Sequence, residues 1–540
     1  MDDKVFYEEY PINKRSVGFI LSDKARKLKD QVFIYFKDRT VSFEELNNNA
    51  NRVGNAFLNM GVKKGDKVCT MMISKPESLY QWFALSKIGA VEVPINTAYK
   101  GDLLQYIINT CDAEIMILDE QLLDRIKMIE GDLKNIKKLI VFSEQPDSEI
   151  ANPTSFEMIP FSELLKGAQT DPTVELDWGE LTCLLFTSGT TGLSKGAMIP
   201  VNYMYRLGTR HAQITRYNSK DVTYCYLPLF HIGGKMVVLA ALFTEAKMVL
   251  LERFSVRKFW EDARRYGVTI FFQLGGIMNM LYSQPAKEDD ADNPIEKGYC
   301  VPIAYEIAED FMKRFNIKKL QECYGATEDG LVISTPWDEQ RRERSCGLPG
   351  DLYEAIIGDE NDMELPPGEV GEILVRTKEP YAMMLGYYKM PEETLKTLRN
   401  YWFHTGDQGY MDKDGWFYFK DRSKDVVRRQ GENISSFEVE KVINKHPKVA
   451  ESAVFGVPSE LAEDEVMAVV VLKEGERMKP EEVIAFCEDR MAYFSVPRYI
   501  EFKESLPRTP TEKVEKYKLK SEGITDDTWD RVKAGYKLKR

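Results

Sequence analysis

Apolar residues recur at helical spacing from Leu46 through Ala50, Val53 and Phe57 to Met60, and Ser42 with Glu45 predicts where that helix starts. Gly61 and Gly65 punctuate the following turn, and the apolar run Val68 to Ile73 predicts a buried strand. Pro76 opens a second helix carrying Trp82, Phe83 and Leu85, which Gly89 ends before another strand, Val91 to Ile95. Alternation of this kind predicts an α/β fold with a largely parallel sheet. From Gly371 the pattern changes to short strands, EILVRT and DKDGWFYF, separated by Gly and Asp turns. Beyond Asp421 a compact unit follows: Ser435 and Glu438 start a helix bearing Val439, Val442 and Ile443, then come strands Ser452 to Val457 and Val466 to Leu472 and a helix from Pro480. Roughly 115 residues suffice for a small α+β domain of its own. The predicted organisation is a large N-terminal α/β domain, residues 1–421, followed by a small C-terminal α+β domain, residues 422–540.

Composition narrows the function classes. The 540 residues exceed what one core usually serves, and 43% hydrophobic with 11% aromatic residues excludes general disorder. The net charge of −13 argues against a nucleic-acid or anionic-membrane surface, while leaving a local polyphosphate site open. Eight scattered cysteines without a CxxC pair, and four unclustered histidines, predict neither a zinc site nor a disulfide framework. Small thiols in the core of a protein in a reducing cytoplasm fit this better. The N-terminus lacks an apolar signal core, and the run Met236 to Phe243 is too short to span a bilayer. Lys533, Lys537, Lys539 and Arg540 predict a solvated basic tail.

Leu181 to Gly196 reads LTCLLFTSGTTGLSKG, an apolar strand running into a loop of Thr187, Ser188, Gly189, Thr190, Thr191 and Gly192, with Lys195 beyond. Glycines allow a tight turn and close approach, and hydroxyls, amides and a lysine supply donors to phosphate oxygens. An ordinary polar surface loop has the same composition. A Walker A loop is rejected, because Gly196 stands where that pattern needs Ser or Thr.

The segment resembles the phosphate-binding loop of the adenylate-forming superfamily: acyl-CoA synthetases, firefly-type luciferases and peptide-synthetase adenylation domains. It departs from the common pattern at Ser194, where proline is usual. Further matches follow in order. LPLFHIGG, Leu227 to Gly234, is similar to the segment that sets an aromatic or histidine gate, here Phe230 and His231, beside the carboxylate. YGATE resembles the motif in which Tyr324, Gly325 and Thr327 meet the nucleotide and Glu328 holds magnesium. By the same resemblance Asp407 of TGD binds the ribose, Phe419 and Arg422 contact the nucleotide, and Lys424 of DRSK is the hinge. LPRTPTEKVEK places the catalytic lysine at Lys513, with Glu512 where glycine is common, and Gly431 of RRQGENISS falls at the pantetheine tunnel. The acyl or adenine pocket would then take in Gly234, Gly275, Gly276, Tyr299 and Cys300, although packing alone accounts for each.

These residue types suit the chemistry. A carboxylate and ATP are both anions, so joining them requires cations and fixed donors that hold the reactants in line. The resemblance implies an acid-thiol ligase using ATP, Mg2+ and coenzyme A, with His231, Glu328 and Lys513 as its catalytic residues. A luciferase-like oxygenase, an adenylation enzyme serving a carrier protein, and a non-catalytic nucleotide-binding scaffold are the alternatives. Leu274 to Phe311 and TPTEKVEKYKL are most similar to crotonobetaine/carnitine-CoA ligases, implying a betaine-like acid; a short- or medium-chain fatty or aryl acid is the other reading. Tyr203, Tyr299 and Tyr324 are candidates for a cage around a trimethylammonium group. The sequence leaves the oligomeric state, a homodimer included, open.

Overall fold

A computed structural model describes residues 7, 9–145, 150–187, 194–422, 426–429, 431–459, 463–507 and 514–539. Among them two large sheets organise the N-terminal part. Seven strands run in the order Glu157–Pro160, Lys138–Phe142, Ile115–Asp119, Lys67–Met71, Val91–Pro94, Leu181–Thr187 and Lys195–Pro200, parallel except for the last pair. The nine-stranded sheet has a parallel centre built from Val222–Cys225, Lys247–Leu250, Ile270–Leu274, Lys297–Val301 and Lys319–Tyr324. Both faces of such a sheet are covered, and these strands are mostly buried, the polar Thr223, Gln273, Gln321 and Glu322 included. Helices Pro76–Ile88 and Ile232–Thr244 are buried on nearly every side, with polar residues such as Gln81, Lys87 and Lys235 buried among apolar ones.

Local signals act where the pattern places them. Ser42 accepts the N–H of Glu45 and starts helix Phe43–Asn59, while the Glu45 carboxylate turns to Arg39 at 2.7 Å instead of completing a capping box. Gly89 ends helix Pro76–Ile88 at a φ of 71°, a left-handed position that suits glycine.

An antiparallel sheet follows, Tyr353–Gly358, Gly371–Thr377, Phe403–Met411 and Phe417–Arg422. The small C-terminal part then begins with the hairpin Val426–Arg429 and Glu432–Ser435. Helices Ser436–Ile443 and Pro480–Glu488 pack with strands Val449–Pro458, Asp464–Leu472 and Tyr499–Phe502 around a core of its own. The expected mixed α/β architecture, a large N-terminal domain and a small C-terminal one, is what the chain adopts.

One detail differs from expectation. The lysines near the end are exposed, but Tyr536 and Leu538 between them pack onto the C-terminal core, so the tail is anchored rather than free. Arg540 lies outside the described residues. All eight cysteines are buried thiols, and Cys69 and Cys111 bring their sulfurs to 3.3 Å.

Candidate active site

The strands Leu181–Thr187 and Lys195–Pro200 pair in register Thr187 to Lys195, so they present both ends of the glycine-rich loop together. Ser188, Gly189, Thr190 and Thr191 lie outside the described residues. Thr187 donates its hydroxyl to Glu328 Oε1 at 3.1 Å, and Tyr387 donates to the same oxygen at 3.0 Å. The YGATE turn is thereby fastened to the base of the loop. The Lys195 ammonium sits 2.7 Å from Glu393, whose carboxyl is held down at about 2 by hydrogen bonds from Lys195 and Lys396.

Tyr324, at the end of its strand, donates to Asp407 Oδ2 at 2.7 Å, bringing two different sheets together. Asp407 is buried and lies opposite Arg422 in the antiparallel ladder, with Phe419 nearby in the same strand and 43% exposed. Sequence reasoning missed the residues that hold this corner. Glu372 accepts the N–H of Gly406 at 2.8 Å and meets His404 at 3.0 Å, fixing the turn that presents Asp407. Asp329 accepts the N–H of Ala326 and fixes the YGATE turn, and burial pushes its carboxyl well above the usual range. Gly325 is a close-approach position, because a Cβ there would meet the Gly330 carbonyl at 1.7 Å. Thr327 accepts at its carbonyl from Tyr203 at 2.8 Å.

His231 caps helix Ile232–Thr244, its Nδ1 accepting the N–H of Gly233 at 3.1 Å. Burial first, and then nearby Arg428, pushes the imidazole down to about 4, so the ring is neutral near pH 7 and carries its proton on Nε2. The same ring lines a small cavity of about 40 Å³. Phe230, Tyr99, Phe186, Asn96 and Glu432 line it too, with Pro94, Ile95 and Ile107. Gly234 lies beneath, where a Cβ would collide with the Pro228 carbonyl at 2.3 Å.

Two pocket candidates go elsewhere. Tyr299 is fully buried and donates to the Thr335 carbonyl at 3.0 Å, and Cys300 is a buried thiol beside Gln273. Gly275 and Gly276 open helix Gly275–Tyr282. Tyr203, Tyr299 and Tyr324 meet three different acceptors and do not line the cavity; its aromatic residues are Tyr99, Phe186 and Phe230.

Glu432 reaches the cavity from the small domain. It accepts from Asn96 at 3.2 Å, and burial pushes its carboxyl up to about 7. Arg428 of the same hairpin donates to the Val301 carbonyl at 3.2 Å. Gly431 turns the hairpin at a φ of 79° and donates its N–H to Glu463 at 3.2 Å. Lys424 and Lys513 lie outside the described residues.

Among the described residues no cluster of three or more His, Cys, Asp and Glu could hold a metal ion on protein ligands alone. One carboxylate, Glu328, beside the Thr187 hydroxyl suits a magnesium ion that takes its remaining ligands from water and phosphate. No helix of the described residues is long and apolar enough to cross a membrane.

Two large sheets, the Tyr324–Asp407 corner and a small domain docked over the His231 cavity are the architecture to be compared with known proteins. The profile of the AMP-binding enzyme family matches residues 21–388, and that of the AMP-binding enzyme C-terminal domain matches residues 438–513. The chain belongs to the AMP-binding enzyme family. It is 36% identical over 491 residues, 89% of this chain and 93% of the relative, to a crotonobetaine/carnitine–CoA ligase of Proteus mirabilis. Among solved structures, ATP-bound MatB of Rhodopseudomonas palustris is 27% identical with a TM-score of 0.67, covering 96% of this chain and 99% of that one. The o-succinylbenzoate CoA synthetase of Bacillus subtilis, bound to a product analogue, shares the fold at a TM-score of 0.79 and 23% identity, covering 93% of this chain and 98% of that one.

Proposed function

We propose that the protein activates a betaine-like carboxylic acid and passes it to coenzyme A at one site. It is an AMP-forming acid-thiol ligase. In the first half-reaction a carboxylate oxygen bonds to the α-phosphorus of ATP and pyrophosphate leaves. In the second, the thiol sulfur bonds to the acyl carbon, AMP leaves and the thiol proton is released.

Lys195 and the segment Ser188, Gly189, Thr190 and Thr191 are assigned to the β- and γ-phosphates. Tyr324, Gly325, Thr327, Phe419 and Arg422 surround the nucleotide, and Asp407 accepts from neighbouring ribose hydroxyls. Glu328 would hold Mg2+, which when bound neutralises phosphate charge. Lys513 bridges the attacking carboxylate and the α-phosphate. Lys424 is the pivot that exchanges Lys513 for the Gly431 hairpin, with the domain boundary at 421/422. The observation that carries this reading is the hairpin itself: Glu432 and Arg428 dock against Asn96 and Val301 beside His231, the orientation the second half-reaction needs.

Two features support a betaine-like acid. The relatives named crotonobetaine/carnitine–CoA ligase are similar over most of the chain, and the cavity carries Tyr99, Phe186, Phe230 and the Glu432 carboxylate. Aromatic faces with a carboxylate suit a quaternary ammonium. Pro94, Ile95 and Ile107 favour the second reading, a short- or medium-chain fatty or aryl acid. The eight buried thiols suit a reducing cytoplasm, our reading of its location. The test is thioester formation from crotonobetaine, carnitine, butyrobetaine and a series of fatty and aromatic acids. A preference of at least tenfold in kcat/KM for the trimethylammonium acids is expected; a preference for uncharged acids overturns the substrate assignment.

A further inference from the structure

Glu438 is the third residue of helix Ser436–Ile443, where a capping-box glutamate would turn back to the N–H of its own N-cap. Half of that box is present, since Ser435 accepts the N–H of Glu438 at 3.4 Å. The Glu438 carboxylate, however, points out of its domain. Its Oε1 accepts both the N–H of Ser194 at 2.8 Å and the Ser194 hydroxyl at 2.7 Å, across 244 residues of chain. Ser194 is 1% exposed, so neither donor is left to water. Ser194 is also the position at which the loop departs from the proline usual in its resemblance, and proline has neither donor.

The next residue extends the pattern. Lys195, assigned to nucleotide phosphates, is paired with the carboxylate of Glu393. At this end of the loop, protein carboxylates hold the donors of two successive residues. The same helix also receives Lys516, 2.9 Å from Ser436 and 2.7 Å from Glu440, from the segment just after the lysine loop. One helix thus joins the end of the phosphate loop to the segment that follows Lys513.

We propose that Glu438 is a positioning residue for the second half-reaction: its carboxylate captures the two Ser194 donors and holds the small domain with the Glu432 hairpin over the His231 cavity. The inference rests on the two-half-reaction reading above and adds the residue pair that holds the docked orientation.

The test separates the half-reactions in wild type, Glu438→Gln, Glu438→Asp, Ser194→Ala and the Glu438→Gln/Ser194→Ala double variant. Pyrophosphate exchange reports adenylation; thioester formation from supplied acyl-adenylate and CoA reports the second step. Two charge-assisted bonds predict a fall of about 10- to 100-fold in the second step for Glu438→Gln, with exchange within about twofold of wild type. Glu438→Asp should recover part of the loss, and the double variant should be no slower than the worse single one. Equal loss in both half-reactions, or additive losses, would overturn the proposal. A readout that needs neither acid nor CoA keeps this apart from the functional reading. Hydrogen exchange in helix Ser436–Ile443 should be faster in Glu438→Gln and in Ser194→Ala than in the wild type. Equal exchange in all three would sink the latch even if the ligase reading stands. Faster exchange in the variants of a protein that forms no thioester would sink the ligase reading instead.

Discussion

Lys235 and Glu92 form a buried ion pair between helix Ile232–Thr244 and strand Val91–Pro94, with side-chain exposures of 0% and 3%. Apart from the lysine, Glu92 receives only neutral donors among the described residues, Gln81 at 3.2 Å, Thr70 at 3.4 Å and the Cys183 thiol at 4.0 Å, while the ammonium also lies 3.8 Å from the Trp82 ring. Lys235→Met would therefore leave a carboxylate stranded among neutral groups. Breaking a buried pair from one side costs about 3–5 kcal/mol, and that is the expected loss. Adding Glu92→Gln removes the stranded charge, so the double variant should recover about half or more of it. Urea unfolding followed by tryptophan fluorescence reads both, since Trp82 sits on the pair. Because His231 caps the helix carrying Lys235, the single variant should also raise KM for the acid. A Lys235→Met loss below about 1 kcal/mol, or a double variant less stable than the single one, would refute the argument.

Other outcomes follow from the same contacts. The Glu432 carboxyl is raised to about 7 when docked and returns toward its ordinary 4.5 when the hairpin swings into water, so docking is strongest below about 4.5 and weakens as pH rises through 7. Proteolysis of the hairpin should quicken from pH 6 to 8 in wild type and stay flat in Glu432→Gln; equal pH dependence would remove Glu432 as the cause. His231→Ala removes the acceptor for Gly233 and should cost about 1 kcal/mol in urea unfolding, whereas His231→Asn, which can cap, should cost less than half of that. Equal losses would separate the ring from the helix cap. Glu328→Ala should shift the magnesium titration of adenylation to at least tenfold higher concentration, and an unchanged titration would remove the assignment.

Legibility in the sequence followed contact range. The Ser42 cap, the Gly89 stop and the strand entering the glycine-rich loop are local, and spacing alone placed them. Motif resemblance supplied Glu328, Tyr324 and Asp407, and the structure brings Tyr324 and Asp407 into hydrogen-bond contact and Glu328 against Thr187. Contacts between distant segments were not readable. Asn96 meets Glu432 across 336 residues, and no periodicity signals such a pair. Glu438 was readable as a helix-start residue, but the destination of its carboxylate depends on how two domains dock. Tyr299 looked like a pocket residue because it lies in a segment similar to ligases; its strand turns the hydroxyl to the Thr335 carbonyl instead. Glu372 and Asp329 carry no motif and act by holding backbone turns, a role visible only in three dimensions.

The central claim is that one site performs adenylation and then thioester formation, with Lys513 serving only the first. The direct measurement is the pair of half-reaction rates in wild type and Lys513→Ala, using the best acid from the substrate series. The account predicts that Lys513→Ala loses acid-dependent pyrophosphate exchange by at least about 100-fold, yet converts supplied acyl-adenylate and CoA to thioester within about threefold of wild type. Equal loss of both half-reactions, or a wild-type protein that forms adenylate but no CoA thioester, would contradict it.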